Sequence, residues 1–144
     1  MRKFVIGQTD FEIDTAKSSF AIVPKGNDTF LEISVHADKS VYERLRRENP
    51  GMFYDWLAPE FYLRSYRLQG FPTVTQDGLR CCDVRLEPPE PPRRYEVAIY
   101  WEEEHNLVES AAIRITGSKK LLVTGAVDLS GKLTSFRVDW EKPN

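Results

Sequence analysis

Apolar and polar residues alternate singly along much of the chain. From Thr29 to Ala37, Leu31, Ile33, Val35 and Ala37 fall on one side, while Glu32, Ser34 and His36 fall on the other. That period of two predicts a half-buried strand. Ser19 to Pro24 precede it across Lys25-Gly26-Asn27-Asp28, a connection that predicts a hairpin. Tyr95 to Trp101 puts Tyr95, Val97, Ile99 and Trp101 on one side. Ala111 to Thr116, Lys120 to Leu129 and Leu133 to Trp140 are separated by Gly117-Ser118 and Ser130-Gly131, which predicts a meander in which Phe136, Val138 and Trp140 share a face. Asp77-Gly78 is a hairpin signal, with strands expected at about Phe61 to Gln69 and Leu79 to Leu86. Near the N-terminus, Phe4-Val5-Ile6 reads as a first strand.

The pattern changes after Ala37. Ser40-Val41-Tyr42-Glu43 is a capping box, in which the serine hydroxyl accepts from the third helical N–H and the glutamate reaches back to the serine amide. It predicts a helix over Val41 to Glu48, stopped by Asn49-Pro50-Gly51, with a weaker helical turn at Gly51 to Leu57. Pro59 and Gly70 would suit the two ends of another helix, but Phe61, Tyr62 and Tyr66 favour a strand, and strand is the reading adopted. Eight or nine strands joined by short turns imply antiparallel pairing. The expected fold is mainly β (α+β): an antiparallel sheet or two-sheet sandwich with one or two short helices.

Composition narrows the class. With 144 residues, 41% hydrophobic and 29% charged, the chain matches one globular domain, residues 1–144, whose core needs neither metal nor disulfide. A net charge of -2 gives no bulk attraction to nucleic acid or to a membrane surface. No apolar run approaches the ~18 residues of a membrane span, and the apolar start is too short for a signal peptide. A cytoplasmic location is expected. The two cysteines, Cys81 and Cys82, are adjacent, so in a strand they point to opposite faces and cannot bridge without distortion. With no third sulfur or nearby histidine they make no zinc site. No metal or other cofactor is expected.

Catalytic patterns are missing from the sequence: no phosphate-binding glycine loop, no nucleophile elbow, and two histidines, His36 and His105, in separate segments. Thr116-Gly117-Ser118-Lys119-Lys120 is a turn rather than a phosphate loop. A thiol–histidine dyad could be assembled only by the fold. Three other stretches stand out. Glu102, Glu103 and Glu104 form the densest acidic cluster and read as a solvated loop continuing into His105 and Asn106, suited to a basic partner. Phe53 to Tyr66 holds six of the seventeen aromatics, among them Tyr54, Trp56, Tyr62 and Tyr66, with Arg64 and Arg67 interleaved. Such a run suits base stacking, an aromatic core or a protein interface. Between Val41 and Arg67, however, five arginines face four acids, a balance of +1 that disfavours nucleic acid. Pro88 to Pro92 reads as a stiff polyproline connection between strands.

No family motif can be quoted from these residues. The chemistry fits a non-enzymatic module that binds another protein of basic character, one concrete form being a bacterial immunity-type inhibitor that covers a toxin's active site. A β-sandwich that takes a small ligand or carbohydrate in an aromatic cleft is the alternative. Glu102, Glu103, Glu104, Tyr54, Trp56, Tyr62, Arg64, Tyr66 and Arg67 are the candidate contact residues. Self-association is not indicated either way.

Overall fold

The alternating segments become strands because β-branched and aromatic residues fit a pleated surface buried on one side. A computed structural model describes residues 3–39, 47–48, 58–68, 73–74, 80–86, 94–101, 104–117 and 119–143. Within them run β1 (Lys3–Ile6), β2 (Thr9–Glu12), β3 (Ser19–Lys25), β4 (Asp28–His36), β5 (Glu60–Arg67), β6 (Thr73–Val74), β7 (Arg80–Leu86), β8 (Glu96–Trp101), β9 (Glu104–Thr116), β10 (Lys120–Leu129) and β11 (Lys132–Glu141). All pairings are antiparallel, in the order β2-β1-β11-β10-β9-β8-β5-β4-β3, with β7 also on β9 and β6 on β7. The mainly β, antiparallel expectation holds, with more strands than the sequence pattern suggested. Of the expected helix, only Arg47 and Glu48 are described, and both are helical. The Gly51–Leu57 turn and the Pro88–Pro92 run lie outside the described residues.

The sheet curls until its ends meet. Ile13, just past β2, bridges Ala37 at the end of β4, and Asp14 N–H donates to the His36 carbonyl at 2.8 Å. Rings from opposite parts of the curl then touch: Phe61 lies 5.6 Å from Phe136, Phe11 lies 5.9 Å from Trp101, and Phe20 lies 5.7 Å from Trp140. One continuous core results, with Leu31, Val35, Leu63, Ile99, Val108 and Val123 fully enclosed in it. Rings of this size each contribute roughly 1.5–3 kcal/mol when fully buried. Among the described residues the interior is therefore filled by packed rings.

Two local devices bend the sheet. Glu109 is an extra residue between Val108 and Ser110, so Ala126 and Val127 of β10 face Ser110 and Val108 across a bulge. Beside it stands Gly125, where a Cβ would lie 2.2 Å from the Ser110 carbonyl oxygen and 3.0 Å from the Phe136 ring. Only glycine lets the backbones approach so closely, and Phe136 lies over the space left. A two-residue turn at Ser130 (φ 52°) and Gly131 (φ 87°) joins β10 to β11, with both central residues left-handed as such hairpins require.

Two expectations need correction. The strand before Asp77-Gly78 that pairs with β7 is β6; β5 pairs with β4 and β8 instead. Its inward Phe61 and Leu63 match Val35 and Ile33 on one side and Ile99 and Val97 on the other, and that burial outweighs turn proximity. Glu104, His105 and Asn106 are not loop residues but open β9. The bulge at Glu109 shifts the alternation by one, hiding the first half of this strand from a period-two reading.

Candidate functional site

On β5 the core-facing positions are Phe61 and Leu63, which leaves Tyr62 and Arg64 on the outer face. Tyr62 is 7% exposed yet lies outside the core cluster, as does its cross-strand partner Ala98. It is enclosed by polar neighbours rather than by the core. The Tyr62 hydroxyl is hydrogen bonded to His105 Nδ1 at 2.9 Å, and the Arg64 guanidinium sits 4.4 Å from the centre of the Tyr62 ring. Tyr100 adds a ring 4.8 Å from His105. Strand register aligns His36, Glu60, Tyr100 and His105 in one row across β4, β5, β8 and β9.

The chain's two histidines, distant in sequence, thus share one sheet face. They stand three strand spacings apart, roughly 14 Å between backbones. Sequence reasoning missed this row because its members come from four strands, each contributing a single residue. The alternation of His36 with Leu31, Ile33 and Val35 did place it on an outward face, and that was the available signal.

At the other end of the row, Ser34 Oγ donates to Glu60 Oε1 at 3.1 Å and lies 3.2 Å from His36 Nε2, which is itself 3.4 Å from Glu60 Oε1. A serine–histidine–acid relay needs the acid on Nδ1 and the serine on Nε2. Here a single nitrogen, Nε2, faces both partners. The arrangement is a hydrogen-bonded triangle that fixes side chains, and it does not activate Ser34 as a nucleophile. Cys82 is a buried thiol on the core side of β7, so the sheet separates it from both outward histidines.

Burial raises the Tyr62 phenol above the usual tyrosine range. The Arg64 charge works against that shift, and Glu96 and Glu60 add to it. Tyr62 is therefore a neutral hydrogen-bonding group here, not a base. Burial likewise raises Tyr66, with Tyr95 and Cys82 adding to it.

The remaining predicted contact residues fall in different places. Tyr66 follows Ser65, whose φ of 61° marks a bulge in β5, and packs half-buried against Tyr95 with ring centres 5.0 Å apart. It belongs to the edge of the core. Arg67 is exposed and held by Asp28 at 3.0 Å. Glu104 is exposed at the start of β9, next to His105. Tyr54, Trp56, Glu102 and Glu103 lie outside the described residues. Glu104 pairs with Trp101, so it stands on the opposite side of β9 from His105, and of the acidic cluster and the aromatic–arginine stretch only Tyr62, Arg64 and Arg67 are placed on the outer face.

Asn106 holds the β8–β9 hairpin from beneath. Buried at 8% exposure, its side-chain amide donates to the carbonyls of Ile99, Trp101 and Glu104 at 3.0, 3.4 and 3.3 Å. Among the described residues no cluster of three or more His, Cys, Asp or Glu side chains could hold a metal ion, and no helix is long and apolar enough to cross a membrane. No family model, curated protein or solved structure matches the chain.

Proposed function

We propose that this chain is a protein-binding module whose contact surface is the outer face of β4, β5, β8 and the start of β9. The observation that carries the reading is the cross-strand cluster of Arg64, Tyr62, His105 and Tyr100, with Leu107 beside it at 40% exposure. Tyrosine and arginine are the residues that interfaces favour, since each offers a large, orientable contact area. Mounted on paired strands and tied to one another, they lose little freedom on binding. Glu60 and Glu96 stand in register with Tyr100 and Arg64 on the same face and outnumber that arginine, so the fitting partner has a basic surface. The ring-filled interior works against the alternative of a small ligand held in an aromatic cleft. An inhibitor of the immunity type, covering a toxin's active site in the cytoplasm, is the concrete form proposed.

The test is affinity for partners captured from native lysate, measured for wild type, for Tyr100→Ala with Leu107→Ala, and for Glu102, Glu103 and Glu104 all changed to Lys. The expected result is weaker binding in both variants, the charge reversal slowing association most at low salt. Tighter binding after charge reversal would instead identify a nucleic-acid partner. Unchanged affinity in both variants overturns the reading.

A further inference from the structure

The other half of the outer surface carries a different constellation. Across β7, β9, β10 and β11, Arg85, Ala112, Thr124 and Arg137 align in one row, and Asp83, Arg114, Leu122 and Asp139 in the next. Because Ala112 and Thr124 are short, the first row dips between its longer neighbours. The dip forms a hollow of about 360 Å³ that continues into a second of about 210 Å³ over Ser110 and Gly125, with Arg85, Ala112 and Thr124 lining both.

The arginines of this surface are not equivalent. Arg114 forks onto Asp83, Nε at 2.8 Å and Nη2 at 3.3 Å, and Arg137 Nη2 reaches Asp139 at 3.3 Å. Arg85, the arginine that lines both hollows, makes no ion pair or hydrogen bond among the described residues, and neither does the hydroxyl of Thr124 or Ser110. One unneutralised guanidinium and two hydroxyls therefore surround the same space. The Arg114–Asp83 pair closes one side without adding net charge, and Leu122 supplies an apolar wall.

We propose that this hollow binds an oxyanion, a carboxylate or phosphate group on a small ligand. The Arg85 guanidinium is the charge partner, and the Thr124 and Ser110 hydroxyls are neutral donors. A guanidinium presents parallel N–H groups that match two oxygens of such an anion. The larger hollow is at the small end of the ~300–1,000 Å³ range of ligand sites. Asp83 and Asp139 interrupt the positive charge along the surface, which fits a single anionic group and not a polyanion. This site stands apart from the proposed protein-binding face and does not depend on it.

Amide spectra of the ¹⁵N-labelled chain, titrated at fixed ionic strength with inorganic phosphate and separately with acetate, test the proposal against a chloride control. Saturable shifts are expected at Arg85, Ala112 and Thr124. Arg85→Gln should weaken binding at least roughly tenfold, the loss of a charged hydrogen-bond partner. Arg137→Gln should leave it within about twofold, since its guanidinium is already engaged. Asp83→Asn, which removes a negative charge from the rim of the hollow, should tighten it. Saturation by phosphate alone or acetate alone identifies which oxyanion is preferred. Absence of saturable shifts with either, or an Arg85→Gln titration that matches wild type, overturns the proposal; the amide spectrum of each variant reports its fold independently.

Discussion

The Tyr62 hydroxyl and His105 Nδ1 lie 2.9 Å apart although 43 residues separate them in the chain. The link crosses β8, since β5 and β9 flank that strand on the same sheet. It joins an aromatic–arginine segment to an acidic one, and it orients the histidine toward the face on which Arg64 and Tyr100 stand. Tyr62→Phe should therefore cost about 1 kcal/mol of stability, the usual net worth of such a bond, read from denaturant midpoints. A larger effect is expected on partner binding than on Tyr66→Phe, whose ring sits at the core edge.

Alkaline pH should destabilise the fold through the same tyrosines. Tyr62 and Tyr66 both have phenols raised by burial, so the folded chain holds their protons longer than the unfolded chain does. The stability this carries is complete below the ordinary tyrosine range, near pH 10, and is lost as pH rises through the raised folded values. Thermal midpoints measured from pH 8 to pH 12 should fall above about pH 10, with a shallower fall in Tyr62→Phe and Tyr66→Phe. An identical fall in both variants and wild type would assign the effect elsewhere.

Phe136 and Gly125 are opposite one another on β11 and β10, and they should respond in contrasting ways. Phe136→Ala removes a ring that meets Phe61 across the core and should cost ~3–5 kcal/mol. Gly125→Ala adds only one carbon, but that carbon would meet the Ser110 carbonyl at 2.2 Å and the Ala111 Cα at 2.9 Å. Backbone cannot yield as a side chain does, so a loss of ~1–3 kcal/mol or more is expected. Chemical denaturation of the two variants and their double mutant measures both, and non-additivity is expected because the sites touch.

Asn106→Ala should loosen the β8–β9 hairpin. The amide it removes is donated to three backbone carbonyls, one in a buried and two in partly buried bonds, and losing buried partners of this kind costs roughly 1–3 kcal/mol. Faster hydrogen exchange confined to residues 98–107 is the expected signature. Exchange unchanged there would show that strand pairing alone holds the hairpin.

Local pattern decided which residues of the chain are strands. The period-two alternation of β4, β8, β10 and β11 marks inward and outward sides residue by residue, and the Ser130-Gly131 turn states its own geometry through residues that accept a left-handed backbone. From this the antiparallel β character follows, and so does the inward position of Phe136, Val138 and Trp140. The neighbour of each non-consecutive strand was not written locally. That β5 lies between β4 and β8, or that β9 turns from β8 to β7 along one edge, depends on matching buried side chains across long separations. The row from His36 to His105 depends on it as well, because each strand supplies one residue and only register brings them together. Arg85 illustrates the limit most clearly. Its sequence neighbours say that it faces outward, whereas its lack of an acid partner among the described residues is a fact of the sheet, in which Asp83 pairs with Arg114 from the adjacent strand. Alternation is a property of the chain, while charge pairing is a property of the surface that the chain closes.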